Sequence, residues 1–406
     1  MRPMFHIAAR LACGAAAIAL FVVSANAQMP LKPIGDHVRG KASEANHFIE
    51  TPPGWQPKRT AWGDPDLEGT WPIPAGVNLV RSCPRGGGAG RGGARGGGAP
   101  AGPAAEAPPC DLTNPWLSEE EYQARLKQLD QPDAATTALE GGNFGRALLS
   151  GVTDPQTPLR QRSTIMDPPD GQLPALTPEG IRRSDLMKSS WAMPGEKQVW
   201  DHWEDFDSWD RCITRGMPTS MMAYRYNNGI KIFQAPGMVV FSLEMIHEDR
   251  IVYTDGRPPL TSAHQHYMGE PRGRWEGTTL VVETTNYKPG PSATNLGVYG
   301  TPAGRAGGNR WPVSEQMRTI ERFTPLNDNT ILYEMTVEDP IVMVRPYTVR
   351  YPLRRDDSYE WWEYACHEGN RTIRDYINTS RAERGLPVSH DPNDPTNPGT
   401  TLGGGR

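Results

Sequence analysis

The chain has 406 residues, 37% apolar and 22% charged, with 43 Gly, 40 Pro and a formal net charge of −5. So high a Gly and Pro share beside so modest an apolar content excludes a helical bundle and a multi-span membrane protein, and favours short strands with many turns. No block of like charge stands out, which excludes nucleic acid as a partner.

Residues 1–27 have a basic start (Arg2, Arg10), an apolar run from Leu11 to Val23 and the small-x-small ending Ala25-Asn26-Ala27, the pattern of a cleavable signal peptide. The run is too short to cross a bilayer. The expectation is a mature chain from Gln28, periplasmic or secreted, with no membrane insertion after cleavage. Residues 28–82 read as an N-terminal arm carrying a first strand. Gly69-Thr70-Trp71 lies within it, and lipocalin-type barrels place a Gly-x-Trp at their head, the indole closing one end.

Four cysteines remain beyond the signal, and an even number in an exported chain reads as two disulfides. Cys83 and Cys110 bracket residues 84–109, made only of Gly, Ala, Pro, Arg and one Glu. That segment cannot bury a core and is expected to be disordered. A Cys83–Cys110 bridge would close its neck, and Cys212–Cys366 would join mid-chain to the last strand. A catalytic thiol is the competing use, and it needs a reducing compartment or a protected site.

Residues 110–220 read as helices and loops forming a lid. Ser118 followed by Glu121 is a capping box opening a helix over 117–129. A second helix starts at Leu176-Thr177-Pro178-Glu179-Gly180 and runs to about Lys188. Trp191, Trp200, Trp203 and Trp209 crowd the end of this stretch, either as a lid packed on a core or as a platform for sugar faces.

Over 221–385 the period changes to two. Strands are expected at 229–234, 239–246, 250–254, 273–276, 279–285, 317–324, 331–338, 344–353 and 358–366, separated by turns such as Ala235-Pro236-Gly237 and Asn327-Asp328-Asn329. Such a succession of short strands means an antiparallel meander, which closes most economically as a lipocalin-like barrel; a β-sandwich is the runner-up. The tail, 386–406, is polar, Gly-rich and expected to be disordered.

Several of these pieces occur together in a known order. They are Pro65-Asp66-Leu67-Glu68-Gly69-Thr70-Trp71, Asp167-Pro168-Pro169-Asp170-Gly171, and Glu244-Met245-Ile246-His247-Glu248-Asp249-Arg250. Asp255-Gly256-Arg257-Pro258, Gly273-Arg274-Trp275-Glu276-Gly277, Thr336-Val337-Glu338-Asp339-Pro340 and Glu363-Tyr364-Ala365-Cys366-His367-Glu368-Gly369-Asn370 follow. Across roughly residues 60–385 the chain resembles an uncharacterised family of exported bacterial proteins. The resemblance implies a lipocalin-like barrel and no settled activity. One departure is that Pro259 stands where the family begins the next segment with His.

Two segments are dense in groups able to move protons, His247-Glu248-Asp249-Arg250 and Glu363-Tyr364-Ala365-Cys366-His367-Glu368. General acid–base chemistry needs an imidazole or carboxyl held near the reacting proton, and a barrel mouth offers an apolar pocket with a few fixed polar groups. His247 and His367 are the expected acid and base, with Asp249 and Glu363 orienting them. Arg250 or Arg274 would hold an oxyanion, and Trp275 and Trp361 would contact the ligand. The plain alternative is that the histidines are rim residues paired to neighbouring carboxylates.

His264 and His266 fall on one face if extended and could bind a metal with His247 as a third ligand, but nothing fixes that spacing. No metal and no cofactor is therefore assigned. Glu334 and Glu338 share one strand face and read as a charged sheet surface rather than a glycosidase pair. The leading expectation is an exported enzyme doing cofactor-independent acid/base chemistry (isomerase, lyase, hydratase or hydrolase type) on a small apolar or aromatic ligand. The alternatives are a non-catalytic carrier or scavenger and a carbohydrate-binding or carbohydrate-cleaving protein.

Overall fold

Alternation of inward apolar and outward polar residues governs most of the chain beyond residue 229. The computed structural model describes residues 51–74, 77, 79–81, 111–129, 159–188, 198–222, 227–289 and 311–388. The expected signal segment, Cys83, Cys110, the Gly-rich stretch 84–109, Trp191 and the tail beyond 388 lie outside the described residues.

In chain order the elements are β1 (Gly69–Thr70), α1 (Glu119–Leu129), β2 (Ile165–Asp167), α2 (Pro178–Leu186), β3 (Ile230–Ala235), β4 (Met238–Leu243) and β5 (Glu248–Tyr253). Then come β6 (Glu270–Glu276), β7 (Thr279–Thr285), β8 (Arg318–Asn327), β9 (Thr330–Glu338), β10 (Tyr347–Arg354) and α3 (Thr372–Glu383). The strands form one ten-stranded sheet in the order β1-β3-β4-β5-β6-β7-β8-β9-β10-β2, curled into a half-barrel. The described strands form one sheet, where a sandwich has two. The stretch after β1 touches both ends of this sheet: Trp71 N donates to Ile230 O of β3, next to β1, while Leu79 O accepts from Ile165 N of β2.

Local chemistry explains the connections. Pro236-Gly237 joins β3 to β4, with Pro fixing φ and Gly237 at φ 77° supplying the left-handed position of a type II turn. Both halves of the Ser118–Glu121 capping box form, and Thr177 Oγ1 accepts from Gly180 N at the start of α2.

Four sequence expectations change. The pair β5–β6 is parallel, through Tyr253 and Arg272, so the meander is not wholly antiparallel. Gly273 lies at that seam, where a Cβ would come within 2.7 Å of Val252 Cγ1. The expected strand 358–366 is a loop, because its amides and aromatics turn to the Glu244 carboxylate instead of a ladder. The segment 110–220 donates β2, and the barrel region 221–385 ends in α3, whose Ile377 is buried with Trp200 and Phe206. Trp200 stacks on Phe206 at 4.3 Å, which makes that part of the Trp-rich stretch a small core of its own.

Aromatic rings line the concave side. Phe241, Phe323, Tyr333 and Tyr351 form a row of rings with centroids 4.6, 4.9 and 5.1 Å apart, all fully buried. Trp71 is buried in this core, its Nε1 donating to Leu67 O at 2.9 Å. Across β6–β10 the convex side carries charge pairs, including Arg318–Glu283 at 2.9 Å, Arg322–Glu276 at 2.9 Å, Arg318–Glu338 at 3.7 Å and Arg350–Glu334 at 3.7 Å. Glu334 and Glu338 are thus each matched to an arginine on the sheet surface.

Candidate functional site

The two proton-active segments of the sequence do meet. Between β4 and β5 the chain turns through Glu244–His247, with Ile246 at φ 61° and His247 at φ 43°. A β-branched residue in the left-handed region is strained, and such strain persists only where packing holds it. Here Ile246 is buried with Trp209 and Met245, and Tyr364 packs on the same group. Trp209 Nε1 donates to Tyr364 Oη at 3.1 Å, and the Cys212–Cys366 disulfide ties the turn after Trp209 covalently to the second segment.

Glu244 is the hub. Its buried carboxylate accepts from Tyr359 Oη at 2.6 Å, Trp362 N at 2.8 Å, Gly229 N at 3.0 Å and Asn227 Nδ2 at 3.1 Å. Burial and the facing Glu244 push the Tyr359 hydroxyl well above its ordinary value. Gly229 permits this approach: a Cβ there would lie 2.8 Å from Tyr359 Cε1 and 2.9 Å from Glu244 Oε2. We expect Gly229→Ala to displace the 359–362 segment and destabilise the protein by about 1–3 kcal/mol, the usual cost of overpacking. Urea denaturation checks the loss, and amide exchange at Trp362 checks where it falls.

The expected site residues spread over different faces. His247, Asp249, Glu363 and His367 are exposed. Asp249 is on the outer face of β5, whereas Glu248, Arg250 and Val252 share the inner one. Arg250 lies inside the sheet, its guanidinium donating to both carboxylate oxygens of Glu321 at 3.0 and 2.5 Å. Its side chain is buried and its guanidinium is taken up by Glu321, so it is not offered to a ligand in solvent. Arg274 is on the convex face, paired with Glu276 at 2.7 Å. Trp275 is half-buried against the core, and Trp361 is half-buried under the Lys231 ammonium, 4.7 Å from its ring centroid. Among the described residues no three His, Cys, Asp or Glu side chains gather as a metal site, so His264 and His266 lack a third ligand there.

Glu248 is the residue that sequence reasoning passed over. It opens β5 at the rim, partly exposed, and accepts from Thr214 Oγ1 at 2.5 Å. Burial raises its proton affinity above the ordinary carboxyl value, opposed by the Thr214 hydrogen bond and the nearby Arg250 charge. Thr214 Oγ1 also lies 3.6 Å from Met268 Sδ, so the 264–269 loop borders the same spot. The arrangement can hold a carboxyl group that keeps or releases a proton closer to neutral pH than a free one. Its signal in the sequence was the parity of β5, which sets Glu248 on the face of Arg250 and Val252.

No family model, curated protein or solved structure matches the chain.

Proposed function

We propose that this is an exported protein of lipocalin-like build that performs cofactor-independent acid/base chemistry on a small apolar or aromatic molecule. Glu248 carries the proton, and the exposed imidazoles of His247 and His367 are the complementary acid or base. The observation that carries this reading is a desolvated carboxyl group at a strand end, its proton affinity raised, framed by aromatic segments tied through Cys212–Cys366. The row of packed aromatic rings on the described concave side favours a ligand held at the rim. The disulfide supports export, because such bonds persist in oxidising compartments.

Native mass spectrometry of protein purified from its own compartment should find a co-purifying apolar molecule. With that molecule as substrate, Glu248→Gln should lower turnover by about 10²–10⁴-fold, the usual worth of a general acid or base. The same variant should be more thermostable at neutral pH. A carboxyl whose folded pKa lies above its unfolded value of 4.5 stabilises the protein at low pH and loses that contribution as pH rises through the folded value. Gln keeps the Thr214 hydrogen bond without the charge. Full turnover in Glu248→Gln would remove the assignment.

A further inference from the structure

We infer that the outer face of β3–β5 is a contact between two copies of this chain, related by a two-fold axis running along β4. The inner residues of these strands belong to the core, so the outward ones are fixed by parity. They form three rows across the sheet: Lys231–Ser242–Asp249, Phe233–Val240–Ile251 and Ala235–Met238–Tyr253.

The middle row is apolar and open, with Phe233 53% and Ile251 45% exposed. It contrasts with β6–β10, where the same side of the sheet is laced with Arg–Glu pairs. Exposed apolar side chains clustered on adjacent strands mark an interaction surface more often than scattered ones do.

Charge selects a second copy as the occupant and fixes its orientation. Lys231 on β3 and Asp249 on β5 stand in one row, at equal distance either side of β4. An axis along β4 exchanges β3 with β5 between the copies. Each Lys231 then meets Asp249 of the other copy, each Phe233 packs on Ile251, and the two Val240 side chains meet at the centre. An axis across the strands would instead set Lys231 against Ala235 and Asp249 against Tyr253, leaving the Lys231 ammonium without an acidic partner. Such a contact is isologous, the commonest way for a soluble chain to form a closed dimer. Three short strands offer less than the ~800 Å² per partner of a standard interface, so the dimer is expected to be weak and reversible.

Sedimentation equilibrium of the full mature chain over about 1–300 μM, concentrations suited to a weak reversible dimer, tests the inference. Wild type should pass from monomer to dimer. Ile251→Lys should remain monomeric while its melting temperature stays within a few degrees of wild type, since the side chain replaced is half exposed. Lys231→Glu and Asp249→Lys should each weaken association at least tenfold, and the double variant Lys231→Glu with Asp249→Lys should restore it. A wild type that stays monomeric throughout overturns the proposal. So does a dimer that survives Ile251→Lys, or a double variant that is weaker than both single ones. Repeating the charge pair at 0.5 M salt guards against misfolding of a single variant, because salt should reduce the difference between single and double variants only if the charges face each other.

Discussion

Replacing Glu321 with Gln should destabilise the protein by about 3–5 kcal/mol, the range for removing one partner of a buried ion pair. The Arg250 side chain is 1% exposed and that of Glu321 0%, so neither can turn to water. Glu321 receives both guanidinium hydrogen bonds from Arg250, and Tyr333 Oη donates to the same carboxylate at 2.8 Å. Burial alone would lower the proton affinity of Arg250, and the facing carboxylate more than offsets this, so the guanidinium stays charged in both states. With Gln at 321 that charge remains buried with no counter-charge. Replacing both partners, Arg250→Met with Glu321→Leu, should recover most of the loss and leave about 1–3 kcal/mol for the orphaned Tyr333 hydroxyl. Urea denaturation of the two variants gives the comparison. A Glu321→Gln protein within about 1 kcal/mol of wild type would mean that water reaches Arg250 through the core.

That pair also marks where the sequence is legible and where it is not. Strand positions from β3 to β10 follow from period two and turn residues, because both act over a few neighbouring residues. Pro236-Gly237 and Asn327-Asp328-Asn329 were readable for that reason. Which charged residues enter the core was not. Arg250 reads as a rim residue after an apolar strand, and only the curl of the sheet brings Glu321, 71 residues away, to meet it. The loop at 358–366 was misread because alternating aromatics mimic a strand, while the decisive partner, Glu244, lies on another element. The helix α3 was overlooked although Ile373, Tyr376, Ile377 and Ser380 repeat at helical spacing, its buried face being matched by Trp200 and Phe206 far away in the chain. At the rim, both segments named for proton transfer were legible as rich in ionisable groups. The residue that burial singles out within them, Glu248, was not, because burial depends on Thr214 and the 264–269 loop.

Breaking the Cys212–Cys366 bridge, by reduction or by Cys212→Ala with Cys366→Ala, should cost about 3–5 kcal/mol and should loosen the rim before the sheet. The bridge closes a loop with a sequence separation of 154. On chain entropy alone, a loop that long constrains the denatured chain by close to 5 kcal/mol. Native contacts that survive reduction decide where the loss is felt. The Glu244 carboxylate still holds Trp362 N and Tyr359, so the first half of the 355–371 loop stays anchored. The second half, around His367 and Asn370, reaches the 209–212 turn through Tyr364 on Trp209 and through Asn370 on the Asp210 carbonyl and the sulfur itself. Cys212 has a left-handed backbone, φ 56°, which costs about 1–2 kcal/mol per non-glycine residue and needs its surroundings to hold it. Once the sulfur is free, the turn from Trp209 to Thr214 can relax, and Thr214 is the donor to Glu248. Hydrogen exchange should therefore show early loss of protection at Glu368, Asn370 and Cys212, while β8 and β9 stay protected up to global unfolding. If the rim carries the proposed chemistry, the reduced protein should lose turnover at denaturant concentrations where the sheet is still folded. A reduced protein that unfolds at the same urea concentration as the oxidised one, with Asn370 still protected, would assign the rim's rigidity to Glu244 alone.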